Sequence, residues 1–188
     1  DAIEAAGKRL SDMDCKVELV HGNYSEITDI LEKLGVNGID GALLDIGVSS
    51  FQLDNAERGF SYMHDAPLDM RMNRDDGFSA YDVINGYDKN RLTEVIRKYG
   101  EEKWAARIAR FVVERRQMQP LRTTPDLVRV VDAAIPQAVR RTDDRHPARH
   151  TFQALRLAVN HVTHPLHRAL AATVDRLPPG GRPPDHPF

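Results

Sequence analysis

Apolar positions over the first fifty residues fall into two alternating periods. "DAIEAAGKRL", residues 1–10, carries Ile3, Ala6 and Leu10 at helical spacing and is composed of good helix formers. "CKVELV", 15–20, predicts a short strand ending in "HGNY". In "SEITDILEKL", 25–34, Ile27, Ile30, Leu31 and Leu34 form one apolar stripe, with Ser25 as N-cap and Gly35 as the stop. "GIDGALLDIG", 38–47, supplies the next strand. Strand, helix and strand with short connections predict a βαβ unit and hence a parallel sheet.

From residue 55 the pattern changes. "NAERGFSYMHDAPLDMRMNRDDGF", 55–78, is polar and turn-rich, with no clear period. Beyond it the chain reads as helices only. "NRLTEVIRKYG" sets Leu92, Val95, Ile96 and Tyr99 on one face, and "EEKWAARIARFVVERRQ" does so with Trp104, Ile108, Phe111 and Val112. Trp104 and Phe111 therefore read as core. "TTPDLVRVVDAAIP" opens with Thr124 as N-cap and Pro125 at the first helical position, and Pro136 closes it. "TFQALRLAVN" and "PLHRALAATVDRL" are helical as well. "PPGG" usually turns a helix into a strand, but the three prolines of "RPPDHPF" speak against a central strand, so none is expected there. A βαβ fold normally begins on a strand and this chain begins on a helix, so both ends are expected to be cut. The predicted class is α/β with a helical insertion.

Charge sharpens this division. The net charge of -2 conceals 8 Lys/Arg against 18 Asp/Glu in residues 1–90, and 15 against 8 in residues 91–156. A basic middle suits a polyanion or a well-solvated helical surface. With 188 residues there is room for one domain, or one carrying an insertion. No apolar run approaches the roughly 20 residues of a membrane span, no signal peptide opens the chain, and the single Cys15 excludes an internal disulfide framework. A cytoplasmic protein with no membrane partner is expected.

The second strand raises a chemical question, because Ala42, Leu43 and Leu44 lead into Asp45 and then into Gly47, Ser49 and Ser50. In open parallel sheets, ligands lie beyond the carboxyl ends of the strands. There Asp45 can accept from an amine or hydroxyl, or can cap its own turn. Tyr24 ends the preceding predicted strand at the same edge, with a ring able to stack on a base. Ser49 and Ser50 form the turn or donate from it. "GVSS" lacks the flanking glycines of a nucleophile elbow. His161, His164 and His167 recur every third residue without a suitably spaced carboxylate or cysteine, so no metal site is expected.

"HGNY", "DGALLDIGVSSFQLDNAERGFSY", "DAPLDMRMN", "YGEEKWAARIAR" and "HPARHTFQALRLAVN" together resemble the RsmH (MraW) family, in order, over nearly the whole chain to about Gly181. The family's members use S-adenosylmethionine to methylate N4 of a cytidine in the decoding region of 16S ribosomal RNA. The resemblance implies a Rossmann-like methyltransferase domain, incomplete here, with an inserted helical domain that recognises RNA. It places the first methyltransferase segment at 1–64, the insertion at 65–145 and the second segment at 146–188. By the same resemblance Tyr24, Asp45 and Gln52 contact the cofactor, with Tyr24 where an aromatic residue, usually Phe, is found. Asp45 is also the candidate acceptor for the amine of the target cytosine. Arg107, Arg110, Arg115, Arg116, Arg140, Arg141, Arg149 and Arg156 are candidates for phosphate contacts with 16S rRNA or the small subunit. As a set they point to RNA; singly, each also fits a solvated surface. Arg58, Asp69 and Arg71 lie where the match is densest, but spacing gives them no task.

Departures from the family pattern are expected to matter. The glycine-rich cofactor loop, of the form G-T-F-G-x-G-G-H, and the acidic residue that follows it would lie before residue 1. "PPDHPF" stands in place of a strand and an "SFHSLEDR"-like segment. "HVTHPLHRAL" replaces a usually acidic stretch, and His150 stands where Arg is usual. A fragment of a methyltransferase is expected; a non-catalytic RNA-binding remnant is the alternative.

Overall fold

Helix α1 (Ala2–Leu10) forms where the apolar spacing predicts it, with Glu4 in its first turn, Lys8 and Arg9 in its last, and a surface pair between Lys8 Nζ and Glu4 Oε1 at 2.9 Å. The computed structural model describes residues 2–45, 53, 55–142, 146–160, 163–178 and 182–185. The chain divides into two compact units, residues 1–46 with 163–188 and residues 47–162. The breaks expected at 64/65 and 145/146 were breaks of function; these are breaks of packing, and they leave 47–64 and 146–162 with the helical unit.

In the first unit, Asn23 caps a 3-10 turn (Tyr24–Glu26), its side chain accepting from Ser25 N at 2.9 Å. The expected cap, Ser25, is thus displaced, because a carboxamide reaches the backbone two residues on and starts the turn earlier. Helix α2 (Ile27–Lys33) follows and stops at Gly35, whose φ is 70°. Val36 N donates to Leu31 O at 2.9 Å and Gly35 N to Glu32 O at 3.0 Å, the paired closure of a left-handed helix end.

The sheet differs from expectation in two places. "CKVELV" forms no strand: Lys16–Val20 runs as coil, with Val17, Leu19 and Val20 exposed and no strand beside it among the described residues. Conversely, a strand does follow "PPGG". β1 (Gly41–Leu43) pairs in parallel with β2 (Arg182–Asp185), in the register Gly41↔Arg182 and Leu43↔Asp185. Three residues of β1 thus span the same interval as four of β2, and such an irregularity accommodates prolines in the strand. Ile39 N donates to Arg176 O at 3.1 Å, and the Arg176 guanidinium reaches Glu32 Oε1 at 2.7 Å. These bonds tie the approach to β1 and the end of α2 to the segment that follows helix α9 (Thr163–Val174).

The second unit contains α3 (Ala80–Gly86), α4 (Lys89–Gly100), α5 (Ala105–Met118), α6 (Thr124–Ala134), α7 (Gln137–Thr142) and α8 (Arg149–Val159). Its core gathers residues of the predicted stripes, Leu92 and Ile96 from α4 and Ile108 and Val112 from α5, together with Leu127 and Val131 from α6 and Phe152 and Leu155 from α8. Ser79 with Asp82 and Thr123 with Asp126 form capping boxes, and Asp88 caps α4. Thr123 therefore replaces Thr124 as the cap of α6. Thr124 is engaged elsewhere, accepting from Ala66 N at 3.1 Å and donating to His64 O.

Much of the irregular segment lies inside this unit. Phe60, Ala66, Leu68 and Met70 are all buried, and Gly59 (φ 67°) passes so close to the chain that an added Cβ would sit 2.1 Å from Pro67 O. At Gly35 a Cβ would meet nothing within 4 Å. Gly35→Ala should therefore cost only the left-handed penalty, about 1–2 kcal/mol. Gly59→Ala adds a backbone clash and should cost at least about twice as much. Urea denaturation followed by circular dichroism compares them; equal losses would mean that the Gly59 turn relaxes freely.

Candidate functional site

At the first candidate site, β1 runs through Leu44 into Asp45, which is exposed. Tyr24, half-buried on the 3-10 turn, lines a cavity of about 200 Å³ with Ile27, Leu31, Ile39, the backbone of Gly41–Leu44, Ala169 and Thr173. Burial raises the pKa of the Tyr24 hydroxyl. Two of the three expected cofactor residues thus belong to this edge of the first unit: Tyr24 within the cavity wall, Asp45 immediately after it. Gln52 lies outside the described residues, as do Gly47, Ser49 and Ser50.

The second feature belongs to the irregular segment, where Arg58, Asp69 and Arg71 receive the task that spacing could not give them. Asp69 accepts from Arg71 Nε at 2.7 Å, Nη2 at 3.0 Å and N at 3.1 Å. Arg71 Nη1 donates to Arg74 O and Asp76 O, closing the following turn. Arg58 Nη2 donates to Arg71 O at 2.6 Å and to Met72 O at 3.1 Å. Between these anchors Met70 is fully buried with φ 59°, a left-handed conformation uncommon for a side chain of its size.

Asn160, just past α8, holds the other side of the segment. Its Oδ1 accepts from Met72 N at 2.7 Å, and its Nδ2 donates to Met70 O and Arg156 O, both at 2.8 Å. The sequence reading gave Asn160 no role; an Asn at a helix end, where it serves more often as a cap than in an interior, was the available signal. Around Asp69, burial works against the charge, but the bonds from Arg71 outweigh it and its pKa ends below the ordinary carboxylate value.

The eight candidate arginines separate by environment. Arg107, Arg110, Arg115 and Arg149 are exposed. Arg107 and Arg110 both lie over the Phe111 ring, and Arg110 also pairs with Glu114 at 3.6 Å. Arg116 donates to Ile84 O at 2.6 Å, which gives it a task in holding α5 to the end of α3. Arg156 is half-buried, its pKa lowered by desolvation and by Arg149, with Tyr62 opposing. Arg141 belongs to α7, and its side chain lies outside the described residues. Arg140 is half-buried, and its Nε, shielded from solvent, has no hydrogen-bond partner among the described residues.

Comparison with known proteins adds to this geometry. The model of the MraW methylase family matches residues 1–183. Ribosomal RNA small subunit methyltransferase H of Clostridium botulinum (strain Loch Maree / Type A3) is 49% identical over 181 residues, covering 96% of this chain and 58% of the relative. The protein of the same name from Symbiobacterium thermophilum is 48% identical over 182 residues, 97% of this chain and 57% of the relative. That from Renibacterium salmoninarum is 50% identical over 181 residues, 96% of this chain and 54% of the relative. The chain thus spans less than two thirds of the length of these relatives.

The Asp69–Arg71 pair makes a pH prediction. A carboxylate with a depressed folded pKa contributes stability that is complete above its unfolded value, near pH 3.9, and is lost as pH falls through the folded value. Asp69→Asn should cost about 1 kcal/mol at pH 7, given the pair's solvent contact. The gap to the unaltered chain should close below about pH 4. Urea midpoints at pH 7, 5 and 3 check it, and a gap that persists unchanged at pH 3 would count against the pair.

Proposed function

The chain belongs to the MraW methylase family, and from that premise we propose that it is part of an enzyme transferring a methyl group from S-adenosylmethionine to N4 of a cytidine in the decoding region of 16S rRNA. What carries the reading is the continuity of the match, which runs through the strand edge at Asp45 and through the buried segment held by Arg58, Asp69, Arg71 and Asn160. The first unit is read as the cofactor-binding, Rossmann-like part. Residues 65–145, within the second unit, are read as the inserted part that recognises RNA, in keeping with their many arginines. Small-subunit rRNA, in a cytoplasmic setting, is the partner this reading requires.

The residues at the edge fit one portion of the cofactor. A cavity of about 200 Å³ has room for a single ring system beside Tyr24, and its apolar walls suit a stacked adenine. Asp45, exposed just beyond it, supplies an acceptor for a hydroxyl or amine. Gln52 is carried as a cofactor residue by the family resemblance alone. Bound there, S-adenosylmethionine supplies a methyl group already activated for transfer.

The protein's own part is positioning and proton handling. The exocyclic amine of cytosine is a poor nucleophile because its lone pair is delocalised into the ring. A carboxylate accepting from that amine favours a pyramidal nitrogen and then receives its proton; Asp45 is assigned this role. The target base reaches such a group only when unpaired or flipped out of a helix. Arg107, Arg115 and Arg149 supply exposed charge for the backbone of the strand, setting affinity rather than sequence choice.

Calorimetric titration of the chain with S-adenosylmethionine should give saturable binding. Asp45→Ala should weaken it by about tenfold or more, the effect of removing a charged hydrogen-bond acceptor. Tyr24→Phe, which keeps the ring, should leave it unchanged. A folded chain that binds no cofactor would remove the catalytic reading from this polypeptide.

A further inference from the structure

The helical unit contains a second cleft, of about 280 Å³, lined by Glu101, Glu102, Lys103, Trp104, Arg140, His146 and His150 among others. We propose that this cleft receives one unpaired base of an RNA strand, stacked on Trp104. The inference rests on the reading of RNA as substrate and adds to it a specific base-binding pocket.

The architecture fixes the indole. Helix α4 ends in a left-handed residue, Glu101 (φ 53°), so the chain turns sharply before α5. Glu102 is buried, and its Oε1 accepts from Trp104 N at 2.8 Å, which pins the tryptophan at the start of α5. The ring itself is only half-buried: it packs partly on the core and partly faces the cleft. A volume near the lower end of ligand pockets suits one ring system rather than a whole nucleotide.

The polar groups suit a neutral planar ligand. Glu101 and Glu102 offset Lys103 and Arg140, which disfavours a phosphate inside the cleft. His146 Nδ1 lies 3.2 Å from Ala148 N and must accept from that amide, so in the neutral ring its proton is on Nε2. His150 Nδ1 lies 2.6 Å from Gly100 O and must donate to that carbonyl, which leaves its Nε2 as an acceptor. Among the described residues, the two imidazoles therefore turn one donor, His146 Nε2, and one acceptor, His150 Nε2, to a ligand, a combination that the edge of a base can use. His146 is also held by stacking on Tyr62, with ring centroids 4.5 Å apart. Arg140 also lines the cleft, where its guanidinium can donate to a ring nitrogen or a carbonyl of a base. Exposed Arg107, three residues beyond Trp104, and Arg149, adjacent to His150, supply charge for the flanking phosphates.

Trp104 is the chain's single tryptophan, so its emission reports on this cleft alone. The test titrates the full chain with an end-labelled single-stranded RNA, reading total binding by anisotropy and base stacking by quenching of Trp104. The expected result is quenching that tracks binding, absent with an abasic strand of the same length that still binds. Arg140→Ala, and Arg140→Gln as a variant that keeps part of the stem and a polar end without the charge, should raise the quenching midpoint between about fivefold and a hundredfold. RNA that binds without altering Trp104 emission, or equal quenching by the abasic strand, overturns the pocket and leaves the RNA reading standing. Quenching by a free nucleoside monophosphate as strong as by the strand would assign the cleft to a mononucleotide and overturn the proposal. RNA that does not bind at all overturns the RNA reading itself, and the pocket with it.

Discussion

A buried backbone must find partners for its amides and carbonyls, and in this protein that requirement falls on a segment that is neither helix nor sheet. Residues 58–72 pass through the helical unit with Phe60, Leu68 and Met70 inside it. Remote side chains and backbone satisfy the segment in place of a ladder. Asn160 takes the amide of Met72 and the carbonyl of Met70, Arg58 takes the carbonyls of Arg71 and Met72, Thr124 takes the amide of Ala66, and Arg122 O accepts from Leu68 N. Each bond gains about 0.5–1.5 kcal/mol when made, but an orphaned buried group costs about 1–3. The set therefore behaves as a unit, and it keeps Met70 in a backbone conformation it would otherwise avoid.

This explains what the sequence could and could not disclose. Helices are local objects: α4 and α5 were legible from stripes three and four residues apart, and α6 from its Thr-Pro start and Pro136 stop. Their caps erred by one position where a hydroxyl was needed elsewhere, as with Thr124. The segment 58–72 was opaque because Arg122, Thr124 and Asn160, which hold much of it, stand 54 to 90 residues away in sequence. "CKVELV" has the period of a strand, but a strand also requires a neighbour, and none lies beside it among the described residues. β2 ran against composition, since its prolines are tolerable beside an irregular register.

The candidate site was legible in part for the same reason. Asp45 stood out because a charge ends an apolar run, and the structure sets it beside the cavity that Tyr24 lines. The arginines were legible only as a set. Folding divides them into residues with internal work, such as Arg116, and residues open to a polyanion, such as Arg115 and Arg149. Trp104 fell on the apolar face by spacing, yet its ring is half-exposed because the left-handed turn at Glu101 and the cap from Glu102 set where α5 begins. Both proposed sites stand on irregular backbone held at defined points, a strand end and an interhelical turn.

Amide hydrogen exchange, resolved to single residues, tests the ordering of the crossing segment most directly. The amides of Leu68, Met70 and Met72 should exchange as slowly as that of Ile96 in the core of α4, because their donors are held by Arg122, Arg58 and Asn160. Exchange at the rate of the exposed Lys16–Val20 coil would contradict it, showing that the segment opens independently and that the side-chain anchors do not organise the unit.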